Sequence, residues 1–136
     1  EKDFQQLAII RRMVRDLNIP VEIIGCPIVR ENDGLALSSR NMLLTDEERQ
    51  RALTISRTLF ASVKFAEENT LAATKAFVEG EINATSGLKL EYFQIVDGNT
   101  LQELKEWDDS DYIVGCIALF CGNIRLIDNI KYKEVK

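Results

Sequence analysis

The chain contains no histidine, so the commonest general base and transition-metal ligand is unavailable to it. It has no excess of positive charge either, since 17 Lys plus Arg stand against 22 Asp plus Glu for a formal net charge of -5. A field of that sign disfavours phosphate backbones and anionic membranes, and no basic stripe interleaved with aromatics offsets it. No window approaches the ~20 apolar residues that a membrane span needs, and no basic-then-apolar leader opens the chain, which together point to the cytoplasm. Cys26, Cys116 and Cys121 form an odd set without CxxC spacing. Each sits among apolar residues, as free thiols in a reducing compartment do. The first residue is Glu1 rather than Met, as expected of a piece of a longer protein.

What is present is an ordinary globular composition, 136 residues of which 46% are hydrophobic, enough for one sizeable core. Residues 3–17 place Phe4, Leu7, Ile10, Val14 and Leu17 at helical spacing, with Arg11, Arg12 and Arg15 on the other face. Asn18 and Pro20 end that helix. Residues 21–29 are almost continuously apolar and rich in branched side chains, which predicts a strand buried on both faces of a parallel sheet. Residues 30–41 rise in polarity around Asp33-Gly34 and read as a loop.

Thr45 followed by Glu48 matches a capping box, and Ala52, Ile55, Leu59, Val63 and Ala66 continue a helix to about residue 68. A further helix is predicted over 70–84, closed by Ser86-Gly87. The pattern then changes to strands at 88–96, 112–121 and 124–132, with Asp97-Gly98-Asn99 as one turn and Gly122-Asn123 as a tight hairpin. The fold class is therefore α+β: about two helices packed on a three-stranded antiparallel sheet, preceded by a helix and strand of an alternating α/β unit. No repeat, low-complexity tract or long linker is visible.

Two clusters have chemical potential. Lys2, Asp3, Gln5 and Gln6 open a helix, where free backbone N–H groups and the positive dipole end favour an anion; equally, Asp3 could cap the helix while the others are solvated. Ser38, Ser39 and Arg40 offer two hydroxyls and a guanidinium that could surround phosphate oxygens. Taken alone they could equally be a polar surface loop.

The two clusters occur in longer motifs. Glu1-Lys2-Asp3-Phe4-Gln5-Gln6-Leu7, then Val29-Arg30-Glu31-Asn32-Asp33-Gly34-Leu35-Ala36-Leu37-Ser38-Ser39-Arg40-Asn41, then Tyr92-Phe93-Gln94-Ile95-Val96-Asp97 and Arg125-Leu126-Ile127-Asp128-Asn129, resemble the pantothenate synthetase (pantoate-beta-alanine ligase) family over essentially the whole chain. The resemblance implies a two-domain ligase of coenzyme A biosynthesis. Residues 1–28 would be the end of a Rossmann-like nucleotidylyl-transferase domain, and 29–136 the C-terminal α+β domain with the Ser-Ser-Arg loop. ATP and pantoate would give pantoyl adenylate and pyrophosphate, and beta-alanine would then displace AMP.

By the same resemblance, Lys2, Ser38, Ser39 and Arg40 are the catalytic set. Lys2, Asp3, Val29, Leu37, Ser38, Ser39 and Arg40 bind ATP, Lys2 at the phosphates or acyl adenylate, Asp3 at the ribose and Val29 beside the adenine. Gln6 meets pantoate. Mg²⁺ bridges the phosphates, no metal ligands come from the chain, and the full-length enzyme is a homodimer. The family's nucleotide-binding histidine motif is absent, so this piece alone is expected to be inactive.

Arg125 and Asp128, in a terminal strand, read as ion pairs or turn contacts that order the small sheet and are left outside the site. Trp107 reads as a partly buried anchor under a loop, and the acidic residues around it as a solvated face. Strand 21–26, parted from parallel neighbours, would pair with another chain or refold against its own domain. Two other function classes were weighed, a non-catalytic interaction module and an RNA-binding appendage of a synthetase-like protein, the second disfavoured by the net charge.

Overall fold

A computed structural model describes residues 3–22, 28–32, 34–36 and 38–135 of the chain. The first helix, α1, is Phe4–Asp16, and Asp3 caps it by accepting from the Gln6 amide at 3.1 Å. Asn18 takes a left-handed φ of 51° just beyond the helix, a conformation that Asn tolerates better than most residues. Val21, Glu22, Ile28 and Val29 are irregular. The core of the strand expected at 21–29, including Cys26, lies outside the described residues.

Helix α2, Asp46–Ala66, begins with the predicted capping box: the Glu48 amide donates to the Thr45 hydroxyl and the Thr45 amide to the Glu48 carboxylate, both at 3.1 Å. Asp46, Glu47 and Glu48 in its first turn and Lys64 in its last complement the helix dipole. Helix α3, Leu71–Asn83, starts at Thr70, whose hydroxyl accepts from the Ala73 amide.

Strands β1 (Leu88–Asp97), β2 (Tyr112–Cys121) and β3 (Ile124–Glu134) form one antiparallel sheet in the order β1-β2-β3. Gly122, at φ 61°, opens the two-residue turn of the β2–β3 hairpin, in which Cys121 pairs with Ile124. Helices α2 and α3 cover one face of the sheet and α1 lies on the other.

The alternation of β2 divides the interior, because successive side chains of a strand point to opposite faces. Ile113, Ile117, Leu119 and Cys121 point into the core shared with Leu59, Val78, Ile82, Phe93 and Ile95. Val114 and Cys116 point the other way, with Val96, against Phe4 and Ala8 of α1. Gly115 is the narrow point on the first face. A Cβ there would meet the Tyr132 ring at 2.7 Å and the Phe93 ring at 3.0 Å, so both aromatics pack directly over the backbone.

One expectation needs correction. The loop at 30–41 is not wholly irregular, since a 3₁₀ turn spans Ser39–Leu43 with Ser38 as its cap. The apolar stripe read on α1 lies on its covered side: Phe4 is buried along with Ala8, Leu7, Ile10 and Val14 are half-buried, and Leu17, the C-cap beyond the last turn, is exposed. Trp107 is the expected anchor, its indole N–H donating to the Asn69 carbonyl at 2.9 Å beside the Tyr132 ring. No described helix is long and apolar enough to cross a membrane.

Candidate functional site

The start of α1 and strand β3 enclose a cleft of about 100 Å³ whose lining includes Asp3, Gln5, Tyr92, Arg125, Asp128 and Asn129. Asp3 is there because its carboxylate caps the helix, which holds the side chain beside the first-turn amides. Gln5 reaches the Tyr92 hydroxyl at 3.4 Å, linking helix to sheet. Asp3 is thus the helix cap that the sequence allowed, and it also faces a concave surface. Cys116 also lines the cleft. Burial, with the nearby Asp3 carboxylate, pushes its thiol up to about 12, so it is no thiolate nucleophile at neutral pH.

The Ser-Ser-Arg loop reaches β3 at Arg125, a residue that lines this cleft. Ser38 accepts from the Arg40 amide through Oγ at 3.2 Å, which leaves its hydroxyl proton free to donate. The exposed Arg40 guanidinium donates to the Arg125 carbonyl at 3.2 Å. No carboxylate among the described residues neutralises Arg40. A cation without a counter-ion, fixed by a neutral carbonyl, is a physically sound anion contact.

Asp3 and Arg40 are related through Arg125, which lines the cleft with Asp3 and carries the carbonyl that Arg40 touches. Gln6 is exposed on α1, its backbone amide serving the Asp3 cap. Val29 is 65% exposed. Lys2 and Leu37 lie outside the described residues. Of Ser39 only the backbone, in the 3₁₀ turn, is described.

Beneath the loop is a set of ion pairs that single-sequence reading missed. Arg30 holds Asp128 with two parallel bonds, 2.8 and 3.0 Å, and donates to the Gly34 carbonyl at 3.2 Å. Its guanidinium also lies over the Phe60 ring, 4.9 Å from the centroid. The Asp128 side chain is 3% exposed, and it accepts from the Asn129 amide as well. Asp128 thus does more than order the sheet, for it ties β3 to the loop. Arg125 makes the expected ion pair, its 2.7 Å bond to Glu91 joining β3 to β1 across the central strand, yet it and Asp128 also line the cleft, outside of which the sequence reading placed them. Glu31 accepts from Arg49 of α2 at 2.7 Å and from Asn41 at 3.2 Å.

The comparisons with known proteins agree with one another. The family model for pantoate-beta-alanine ligase matches residues 1–131. The pantothenate synthetase of Bacteroides fragilis (strain YCH46) is 64% identical over 134 residues, covering 98% of this chain and 48% of that protein. Among solved structures, pantothenate synthetase from Thermus thermophilus superposes with a TM-score of 0.89 at 41% identity, over 98% of this chain and 48% of that one. A pantoate-beta-alanine ligase from Francisella tularensis, complexed with beta-gamma ATP and beta-alanine, matches with a TM-score of 0.57 at 30% identity, over 97% of this chain and 41% of that one. The chain spans about half the length of the curated relatives it matches.

Proposed function

The chain belongs to the pantoate-beta-alanine ligase family, and from that premise we propose that it supplies the C-terminal part of an ATP-dependent ligase joining pantoate to beta-alanine. The observation that carries this reading is that Arg125, which lines the cleft together with Asp3, also holds the Arg40 guanidinium through its carbonyl. The Francisella relative, complexed with an ATP analogue and beta-alanine, supports the choice of substrates.

The reaction runs in two displacements. A pantoate carboxylate oxygen attacks the α-phosphorus of ATP, the bond to the bridging oxygen breaks, and pyrophosphate leaves. The amine of beta-alanine then attacks the acyl carbon of pantoyl adenylate, losing a proton as AMP departs. Charge builds on the α-phosphate and on pyrophosphate in the first step. Arg40 and Lys2, as fixed cations, stabilise that charge more than the ground state, and Ser38 and Ser39 donate hydroxyl protons to phosphate oxygens.

Asp3 takes the ribose, Val29 and Leu37 border the nucleotide, and Gln6 meets pantoate. Mg²⁺ enters with ATP as part of the substrate, held by phosphate oxygens and water, as this ion prefers.

In this reading residues 1–28 belong to the nucleotide-binding domain and 29–136 to the C-terminal domain of a cytoplasmic homodimer that binds no nucleic acid. The 136 residues alone are inactive. Their 48% coverage of the relatives supports this, because the site then lacks the surfaces that the other half contributes.

Pantoate-dependent ATP–pyrophosphate exchange tests the proposal. The chain alone should be silent, a full-length ligase carrying this sequence should be active, and Arg40→Ala in it should slow exchange by about a hundredfold. Exchange by the chain alone would refute the divided site. An Arg40→Ala enzyme with unchanged exchange would refute the role of the loop.

A further inference from the structure

A cation stabilises a transition state in proportion to how firmly it is placed beforehand. Arg40 is exposed and makes one side-chain hydrogen bond among the described residues, to the Arg125 carbonyl. Something else must fix the backbone from which it projects.

The next residue, Asn41, is only 6% exposed. Its amide nitrogen donates to the Ala36 carbonyl at 2.9 Å and to the Glu31 carboxylate at 3.2 Å. A side-chain amide has two such protons, so both are used inside the loop. Glu31 is itself held by Arg49 of α2 at 2.7 Å.

The stem of the loop is closed by its own backbone, the Glu31 amide donating to the Leu35 carbonyl at 2.8 Å and the Gly34 amide to the Glu31 carbonyl at 2.9 Å. The Arg30–Asp128 pair fastens this stem to β3. The loop is thereby anchored on α2 through Glu31 and on β3 through Arg30, and Asn41 joins that frame to the turn carrying Arg40.

We infer that Asn41 is a positioning residue for the Arg40 guanidinium, acting through the Glu31–Arg49 pair and not by touching substrate. The inference rests on the proposed function of Arg40 and extends it. The chemistry accounts for the residue type. Aspartate at 41 would lose both donors and set a carboxylate against Glu31, whereas Ala would leave the Ala36 carbonyl without this partner in a buried place.

The test is a double-mutant cycle in a full-length ligase carrying this sequence, with exchange rates normalised to folded protein by circular dichroism. Asn41→Ala should lower kcat for exchange between about tenfold and a hundredfold, with KM for pantoate unchanged. In an Arg40→Ala background the same substitution should change the rate by less than about twofold, because the group it positions is gone. Glu31→Gln keeps an acceptor and removes the charge, and it should show a smaller loss with the same dependence on Arg40.

Losses that multiply in the double variant would overturn the inference in favour of a merely structural role. So would wild-type exchange by Asn41→Ala, or by Glu31→Gln if Asn41→Ala does not fold. If Arg40→Ala alone leaves exchange intact, the underlying reading fails first and the positioning role falls with it.

Discussion

The two faces of the sheet are built to different standards. On one face, α2 and α3 press a continuous core against β1 and β2, with Leu59, Val78, Ile82, Ile113 and Leu119 fully removed from solvent. On the other face a single helix contributes two buried residues, Phe4 and Ala8, while its Ile9, Met13 and Leu17 are 61%, 46% and 67% exposed. The first face is a finished domain interior. The second is a seam, and the candidate site lies along it, between α1 and β3.

The largest effect that would break this comparison is on the finished face. Ile117 is 1% exposed in the central strand and packs beneath the helices. Ile117→Ala removes buried methyl groups and leaves a cavity that the dense surroundings cannot fill, so a loss of about 3–4 kcal/mol is expected. Urea denaturation should register it as a lower midpoint with an unchanged slope. A loss below about 1 kcal/mol, at the level of a peripheral contact, would mean that this face is not the stabilising core.

Phe4→Ala makes the opposite test. The ring is 4% exposed and meets Tyr112 edge-on at 5.9 Å. Its removal should release α1 more than it destabilises the sheet, at a global cost of about 1–2 kcal/mol, because the helix has few other buried contacts. Hydrogen exchange should show faster α1 amides and nearly unchanged β2 amides. Equal acceleration in both would merge the two faces into one cooperative unit.

Sequence reading succeeded where the determining interactions are local. Thr45 and Glu48 announced the start of α2 because a capping box needs only four residues, and the strand at 112–121 was legible from an apolar run bounded by turn residues. The covered side of α1 was legible too, since Phe4, Leu7, Ile10 and Val14 of the stripe are buried or half-buried, whereas the full burial of Ala8 was set by its tertiary neighbours. Asp3 and Arg40 were singled out by family likeness alone. Their supports were not: Arg30 and Asp128 are 98 positions apart, and the acceptor of Arg40 is a backbone carbonyl that no side-chain pattern encodes. Asn41 was visible as a letter in a motif, but the burial that gives it a task appears only in three dimensions.

The smallest expected effect sharpens the comparison at the turn that presses on α1. Asp97 ends β1 and accepts from the Asn99 amide at 2.7 Å, the Thr100 amide at 3.0 Å and the Ser110 hydroxyl at 2.6 Å. It thereby shapes the segment that places Leu101, at a left-handed φ of 63°, against the core under α1. Partial burial raises the pKa of this carboxyl, but the Ser110 hydroxyl and the two amides outweigh it and hold the value below 3.8. A group with a depressed folded pKa contributes stability that is present above its unfolded value and lost as pH falls through the folded one. Asp97→Asn should therefore cost about 1 kcal/mol at neutral pH. That difference from wild type should begin to shrink as pH falls below about 4, where the unfolded carboxyl takes up its proton, and be lost as the folded carboxyl follows at lower pH. Denaturation curves at pH 7 and near pH 3 measure it. A difference that stayed constant across that range would assign the turn's strength to neutral hydrogen bonding alone, and one centred on β2 amides would place the turn in the finished face and not at the seam.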